Sequence, residues 1–340
     1  MAAQYGFRTR DASGAITLDT SVTPLRSIYT TQVQGNGAWD QYFSIPQIKA
    51  GSFVVVQSPI VNMSSGVEAW WSPGTLHLRR AQSLKWTVKV LSYGDAPDAT
   101  TKYGIRARND NNLVQIDNVN KVMSVAGSGS FQIGRRGPGD YITTGRGNFP
   151  APITTIEEPY VFLRSDTGMM VCKYRVLGSP GAWTGFTVDG WFGGSFANLL
   201  YTVHWMVGSA TPSGAEGDYG IRIRNGSGER TFNSNDNLIL LSGGAPSSDR
   251  FSVAGSDVVI GSVLWSSFQM PWTGSANDYF LASTLLSTFD DGANVYDNPA
   301  GFLVGNRNVL QAYSGSYTSS TNASGVNGRT LFAGRPMRPL

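Results

Sequence analysis

Two histidines, one cysteine and two pairs of adjacent carboxylates are the residues here whose types suggest chemistry. His77 and His204 stand in strand-like runs, "LHLRR" and "YTVHWMV". Neither has an Asp, Glu or Cys at ligand spacing beside it, so no metal site is expected. A Ser-His-Asp hydrolase needs its serine on a tight turn, and no serine stands in a G-x-S-x-G setting. Paired carboxylates cleave glycosidic bonds when one serves as acid and the other as base or nucleophile. The candidates are Glu157-Glu158, just before Pro159, and Asp290-Asp291, just before Gly292. Neighbouring residues of a strand point to opposite faces, so neither pair makes an acid–base couple alone. Both read as turns. The chain is therefore expected to be no enzyme and to use no cofactor.

Three stretches carry candidate contact residues. "GSGSFQIGRRGPGD" (127–140) holds Arg135 and Arg136 among glycines. It lacks the Lys-Ser/Thr ending and following helix of a phosphate-cradling loop, and reads as a surface loop able to meet an anionic partner. Trp70-Trp71, and "GAWTGFTVDGWFGGSF" (181–196) with Trp183, Trp191 and Phe192, concentrate aromatics. Such clusters either pack a core or form a contact surface for sugar or a neighbouring subunit. The 26 basic and 23 acidic residues leave a net charge of +3 and form no long basic stripe, so no nucleic-acid partner is expected. No apolar run approaches the ~20 residues of a membrane helix, and membrane insertion is not expected. The first residues lack the basic start and apolar centre of a secretion leader. Cys172, in the strand-like "MMVCKYRV", is the only cysteine, which suits folding in a reducing cytoplasm.

The elements that would position these residues are strands. Charged residues make up 14% of the chain and glycines number 41, a balance that suits an all-β protein with many turns. One phrase occurs three times, as "YGFRTRD" from Tyr5, "YGIRARN" from Tyr103 and "YGIRIRN" from Tyr219, or YG[IF]RxR[ND]. Alternation puts Phe7 and Thr9 on one face of the first copy and Arg8 and Arg10 on the other. Ile105 and Ala107 oppose Arg106 and Arg108 in the second copy, and Ile221 and Ile223 oppose Arg222 and Arg224 in the third. Each phrase enters an Asn/Asp/Gly turn and a short return strand, so each predicts a β-hairpin.

Later runs recur in order: "FVVVQS" at Phe53, "YVFLRS" at Tyr160 and "YFLAST" at Tyr279. The opening tyrosines are 98 and 116 residues apart, the size of a small β domain. Three tandem β-sandwich-like domains are expected, over 1–102, 103–218 and 219–340. Helix is expected to amount to about one turn near Leu285.

The stretch from Tyr5 to Ser21, "YGFRTRDASGAITLDTS", resembles the start of a group of bacteriophage tail and virion structural proteins. Tyr5, Gly6, Asp11, Gly14, Leu18 and Asp19 carry the likeness. The resemblance implies a virion protein folded in the host cytoplasm, a structural part of the tail near the tip or baseplate. Its partners would be other tail proteins and copies of itself in a symmetric assembly. Receptor or glycan binding for host attachment is the alternative, and a tail-associated hydrolase a further one.

Overall fold

The computed structural model describes residues 8–10, 14, 16–19, 24–57, 67–79, 81–92, 104–108, 113–117, 119–211, 220–245, 252–253, 258–260, 263–272, 274–275, 277–285, 287–290, 295–316 and 331–340. Tyr5, Tyr103, Tyr219 and Asp291 lie outside them.

The first copy of the repeat forms a hairpin of β1 (Arg8–Arg10) and β2 (Ile16–Asp19). It continues through β3 (Arg26–Gln34), β4 (Asp40–Ser44), β5 (Ser52–Gln57), β6 (Glu68–Ser72), β7 (Thr75–Arg79) and β8 (Lys85–Ser92). The second has the hairpin β9 (Gly104–Arg108) and β10 (Leu113–Asp117), then β11 (Lys121–Val122), β12 (Ser124–Gly134) and β13 (Ile142–Ile153). It ends with β14 (Tyr160–Ser165), β15 (Val171–Ser179), β16 (Ala182–Trp191) and β17 (Leu200–Ser209). The third opens with β18 (Arg222–Arg224) and β19 (Arg230–Asn233), followed by β20 (Ile239–Ala245), β21 (Ser252–Val253), β22 (Val258–Ile260), β23 (Val263–Pro271) and β24 (Tyr279–Leu281). After α1 (Ala282–Leu285) come β25 (Ser287–Asp290), β26 (Val295–Asn298), β27 (Ala300–Leu303), β28 (Asn306–Ser316) and β29 (Leu331–Pro336). The protein is all-β: α1 and a 3₁₀ turn at Gly194–Phe196 are the only helical elements among the described residues.

One pairing scheme occurs three times. Six main strands of each copy pair first–sixth–third in one sheet and second–fifth–fourth in another. These are β3-β8-β5 with β4-β7-β6, β12-β17-β14 with β13-β16-β15, and β20-β29-β24 with β23-β28-β27. The expectation of tandem sandwiches is met only loosely, because the last two copies fuse. β14 pairs with β24 through Phe162↔Leu281 and Leu163↔Phe280, and β15 meets β27 at Val171↔Ala300. The result is one six-stranded and one eight-stranded sheet over a single shared core. The first copy keeps its own core, with Trp86, Val88, Leu76 and Leu78 between its sheets.

The third strands explain why "FVVV", "YVFL" and "YFLA" read as unbroken apolar runs. In β14, Val161 and Leu163 face the shared core while Tyr160 and Phe162 face a second, central one. In β5, Val54 faces its own sandwich while Phe53 and Val55 face that same central core. Strands covered on both faces lose the apolar–polar alternation. The central core also takes Leu91, Met206, Tyr279 and Leu281, so all three copies contribute to it. Each such side chain, fully buried, contributes about 1.5–3 kcal/mol.

Candidate functional site

Leu25, Met123 and Ile239 occupy equivalent places, each seven residues beyond Leu18, Ile116 and Phe232. They meet in a closed ring of backbone hydrogen bonds. Leu25 N–H donates to Ile239 O (2.9 Å), Ile239 N–H to Met123 O (3.0 Å), and Met123 N–H to Leu25 O (2.8 Å). The cycle treats the three equivalent residues alike, although the sheets of only the last two copies are joined. All three residues are buried.

The hairpins gather beyond this triangle. Leu18, Ile116 and Phe232, with Ile105, Ile221 and Ile223, form one small apolar cluster. Arg8, Arg10, Arg222 and Arg224 lie exposed on the opposite faces, as alternation predicts. Arg10 donates to Gly14 O (2.6 Å) and Arg224 to Gly228 O (2.9 Å), the same contact in two copies. The middle hairpin pairs Ala107 with Val114, whereas the equivalent Thr9 and Ile223 pair with Leu18 and Phe232. That is a slip of two residues, an even number that leaves the strand alternation in phase. The glycine of the phrase has a steric reason. Gly104 has φ +153°, and a Cβ there would stand 2.2 Å from Ile116 O.

A buried ion pair ties the first copy to the second hairpin. Asp117 Oδ2 accepts from Arg26 Nη1 at 3.0 Å, and both side chains are almost wholly enclosed. Asp117 Oδ2 also accepts from Asn120 Nδ2, while Oδ1 accepts from the N–H groups of Val119 and Asn120. Asn233 holds the equivalent place in the third copy, where its Oδ1 accepts from Asn235 N–H. Lys89 is buried, donates to Glu158 O (2.8 Å) and lies 4.4 Å from the Tyr160 ring centre. Burial lowers the Lys89 ammonium to about 8 and raises the Glu158 carboxyl.

The outer face of β4-β7-β6 carries an aromatic group. Tyr42, His77 and Trp70 are direct cross-strand neighbours. The Tyr42 ring stacks on His77 at 4.2 Å, Trp70 meets His77 edge-on at 3.7 Å, and Arg79 lies over Trp70 at 5.1 Å. Asp40 Oδ1 bonds both Arg79 Nε (2.9 Å) and His77 Nε2 (2.8 Å). The Arg79 hydrogen bond, then that of His77, holds the Asp40 carboxyl below its ordinary range. Tyr42 is 69% exposed and Trp39, close in sequence, 58%. His204 pairs with Asp166 (2.7 Å), which also bonds Arg164 (2.8 Å). Partial burial raises the Asp166 carboxyl, but His204 and the flanking arginines outweigh it and the net shift is downward.

The residues singled out by sequence fare differently. Trp191 and Phe192 are core, not contact surface: Phe192 stacks on Tyr201 at 4.9 Å and Trp191 packs on Tyr313 at 4.6 Å. Trp183 is half-buried and donates to Thr155 O (2.9 Å). Arg135 is half-buried with its guanidinium over Tyr141, and Arg136 is exposed on the same loop. Trp71 turns inward and donates to Ser52 O, whereas Trp70 joins the open aromatic face. Cys172 is buried in the shared core. Glu157 is exposed and Glu158 half-buried, and the Asp290 side chain and Asp291 lie outside the described residues. No group of three or more His, Cys, Asp or Glu suited to a metal occurs among the described residues. None of the described helices is long and apolar enough to cross a membrane.

Sequence reasoning missed the triangle and the His77 cluster. The constant offsets of 98 and 116 residues from Leu18 through Leu25 were a usable signal for the triangle. Nothing local marks Tyr42, Trp70 and His77 as neighbours. The chain matches no family model, no curated protein and no solved structure.

Proposed function

We propose that this chain is a structural component of a bacteriophage tail that acts by assembly, at the tip or baseplate. The observation that carries the reading is the hydrogen-bonded triangle of Leu25, Met123 and Ile239. A chain that wraps three copies of one motif about a local axis offers threefold-repeated surfaces from a single subunit, which suits a place on a symmetry axis. The resemblance of Tyr5–Ser21 to tail and virion proteins supplies the setting, with other tail proteins and further copies of the chain as partners. The test is deletion of its gene from the phage. Tails are expected to stop short of completion, and the full-length protein supplied in trans to restore them.

Receptor or glycan binding is a second reading, favoured by the exposed ring of Tyr42, which stacks on the same His77 that Trp70 meets edge-on, and by exposed Trp39 close in sequence. Aromatic rings stack on the C–H face of a pyranose, and Asp40 and Arg79 stand beside them as partners for hydroxyls. Deletion that leaves complete tails unable to adsorb to cells would give this reading precedence.

A further inference from the structure

The register of β4, β7 and β6 orders their outer face in rows. Asp40 pairs with Arg79, Tyr42 with His77 and Trp70, and Ser44 with Thr75 and Ser72. The turn between β6 and β7 is pinned to the first copy, since Gly74 N–H donates to Ile48 O (2.8 Å) and Gly74 O accepts from Ile45 N–H (2.9 Å). His77 is buried even on this outer face, because Tyr42 stacks on it and Trp70 meets it edge-on. His77 thus covers one side of the Tyr42 ring, and with 69% of the residue exposed the other side is open. The pairing scheme does not demand a ring there. In the second copy, β13 holds the place of β4 and turns Thr144, Arg146 and Asn148 outward.

We infer that Tyr42 is the platform of a saccharide site that takes one neutral hexopyranose, stacked by its C–H face on the open side of the ring. The inference rests on the receptor-or-glycan reading above and names the ligand of that site. A pyranose presents an apolar C–H face to an aromatic ring while its rim carries hydroxyls. Asp40 and Ser44 are exposed two residues to either side of Tyr42 on the same strand face, about 7 Å away, where such a rim would reach. Asp40 bonds Arg79 and His77 through Oδ1, and its Oδ2 accepts no hydrogen bond among the described residues. A hydroxyl donating to that oxygen makes a charge-assisted bond. A uronate or phosphorylated sugar would set a second negative charge against Asp40, and Arg79 is already engaged by that carboxylate and by the Trp70 ring. Ring and carboxylate are held in place before the sugar arrives, so binding orders little of the protein. One platform open to water binds weakly, on the order of 1 mM, and several copies of the chain in an assembly would add avidity.

The test is saturation-transfer NMR on the full chain with the methyl glycosides of glucose, galactose and mannose, and with methyl glucuronide as the acidic comparison. At least one neutral glycoside is expected to bind with a Kd on the order of 1 mM, its ring C–H protons saturated most strongly. Tyr42→Ala should weaken that binding by ~10-fold or more, whereas Tyr42→Phe, which keeps the ring, should stay within ~2-fold of wild type. Asp40→Asn should weaken it by ~5-fold, and the glucuronide should bind wild type at least ~5-fold more weakly than the best neutral sugar. Melting temperatures of the variants confirm that each remains folded. Absence of binding by all three neutral glycosides, binding that survives Tyr42→Ala, or tighter binding of the glucuronide overturns the inference. Adsorption of the deletion phage decides the receptor reading separately: complete tails that fail to adsorb, with no sugar bound by this chain, would keep a receptor role and refute this site.

Discussion

Removing the charge of Asp117 tests whether the first copy is locked to the second hairpin by the buried pair or only by apolar contact. Asp117→Asn preserves the shape and the Oδ1 acceptor that Val119 and Asn120 use, but leaves the Arg26 guanidinium enclosed without its carboxylate. Stranding one member of a buried pair costs about 3–5 kcal/mol. Arg26→Met leaves Asp117 with its bonds to Val119 and Asn120, and the lost charge-assisted bond costs about 2–3 kcal/mol. The two single costs add to about 6 kcal/mol. The double variant strands no charge, so its cost should be about 3 kcal/mol, and the coupling about 3 kcal/mol. Urea unfolding of the four proteins, followed by tryptophan fluorescence at pH 7, measures each value. If the double variant costs the sum of the singles, the pair is not the lock. The Asn233 of the third copy, which carries no charge, would then be the better guide to what Asp117 does.

Two further perturbations follow from particular side chains. Lys89 titrates near pH 8 when folded and near 10.5 when unfolded, so between those values the unfolded chain binds more protons and stability rises with pH. Wild type should gain about 2 kcal/mol relative to Lys89→Met between pH 8 and 9.5; identical pH profiles would refute this. Gly104→Ala forces a side chain onto φ +153° and against Ile116 O, and should cost upwards of about 2 kcal/mol. Gly228→Ala, at φ +82° in open space, should cost only about 1 kcal/mol, and comparing melting temperatures checks the order.

The hairpins were legible because alternation alone assigns their faces. Ile221 and Ile223 pack inward and Arg222 and Arg224 face out, as the spacing says. The third strands were legible as strands, but their burial on two sides came from partners a hundred residues away. The aromatic stretch 181–196 left core and contact surface open because glycines beside rings suit a surface loop as well as a tight core. Here they make room. A Cβ at Gly190 would meet Ile133 at 2.8 Å, and one at Gly147, on the neighbouring β13, would meet the Phe186 ring at 2.3 Å. The fusion of the last two copies left no trace in the sequence, since pairing of β14 with β24 uses backbone groups that every residue carries. Tyr42, Trp70 and His77 sit on three strands, and only the register of β4, β7 and β6 brings them together.

The central core also sets a timetable for synthesis. Phe53, Val55 and Leu91 belong to strands complete by Ser92, yet part of their cover is Tyr279 and Leu281. From Ser92 to Leu281 is 189 residues of translation. At about 5–20 residues per second the nascent first sandwich waits roughly 10–40 s with an apolar flank uncovered. The triangle through Leu25 likewise stays open until Ile239 emerges. A homotrimer of single copies would find its partners by diffusion at a rate set by concentration. Joining the copies in one polypeptide makes that encounter independent of expression level, and leaves the ribosome's pace as the interval during which a chaperone must shield the flank.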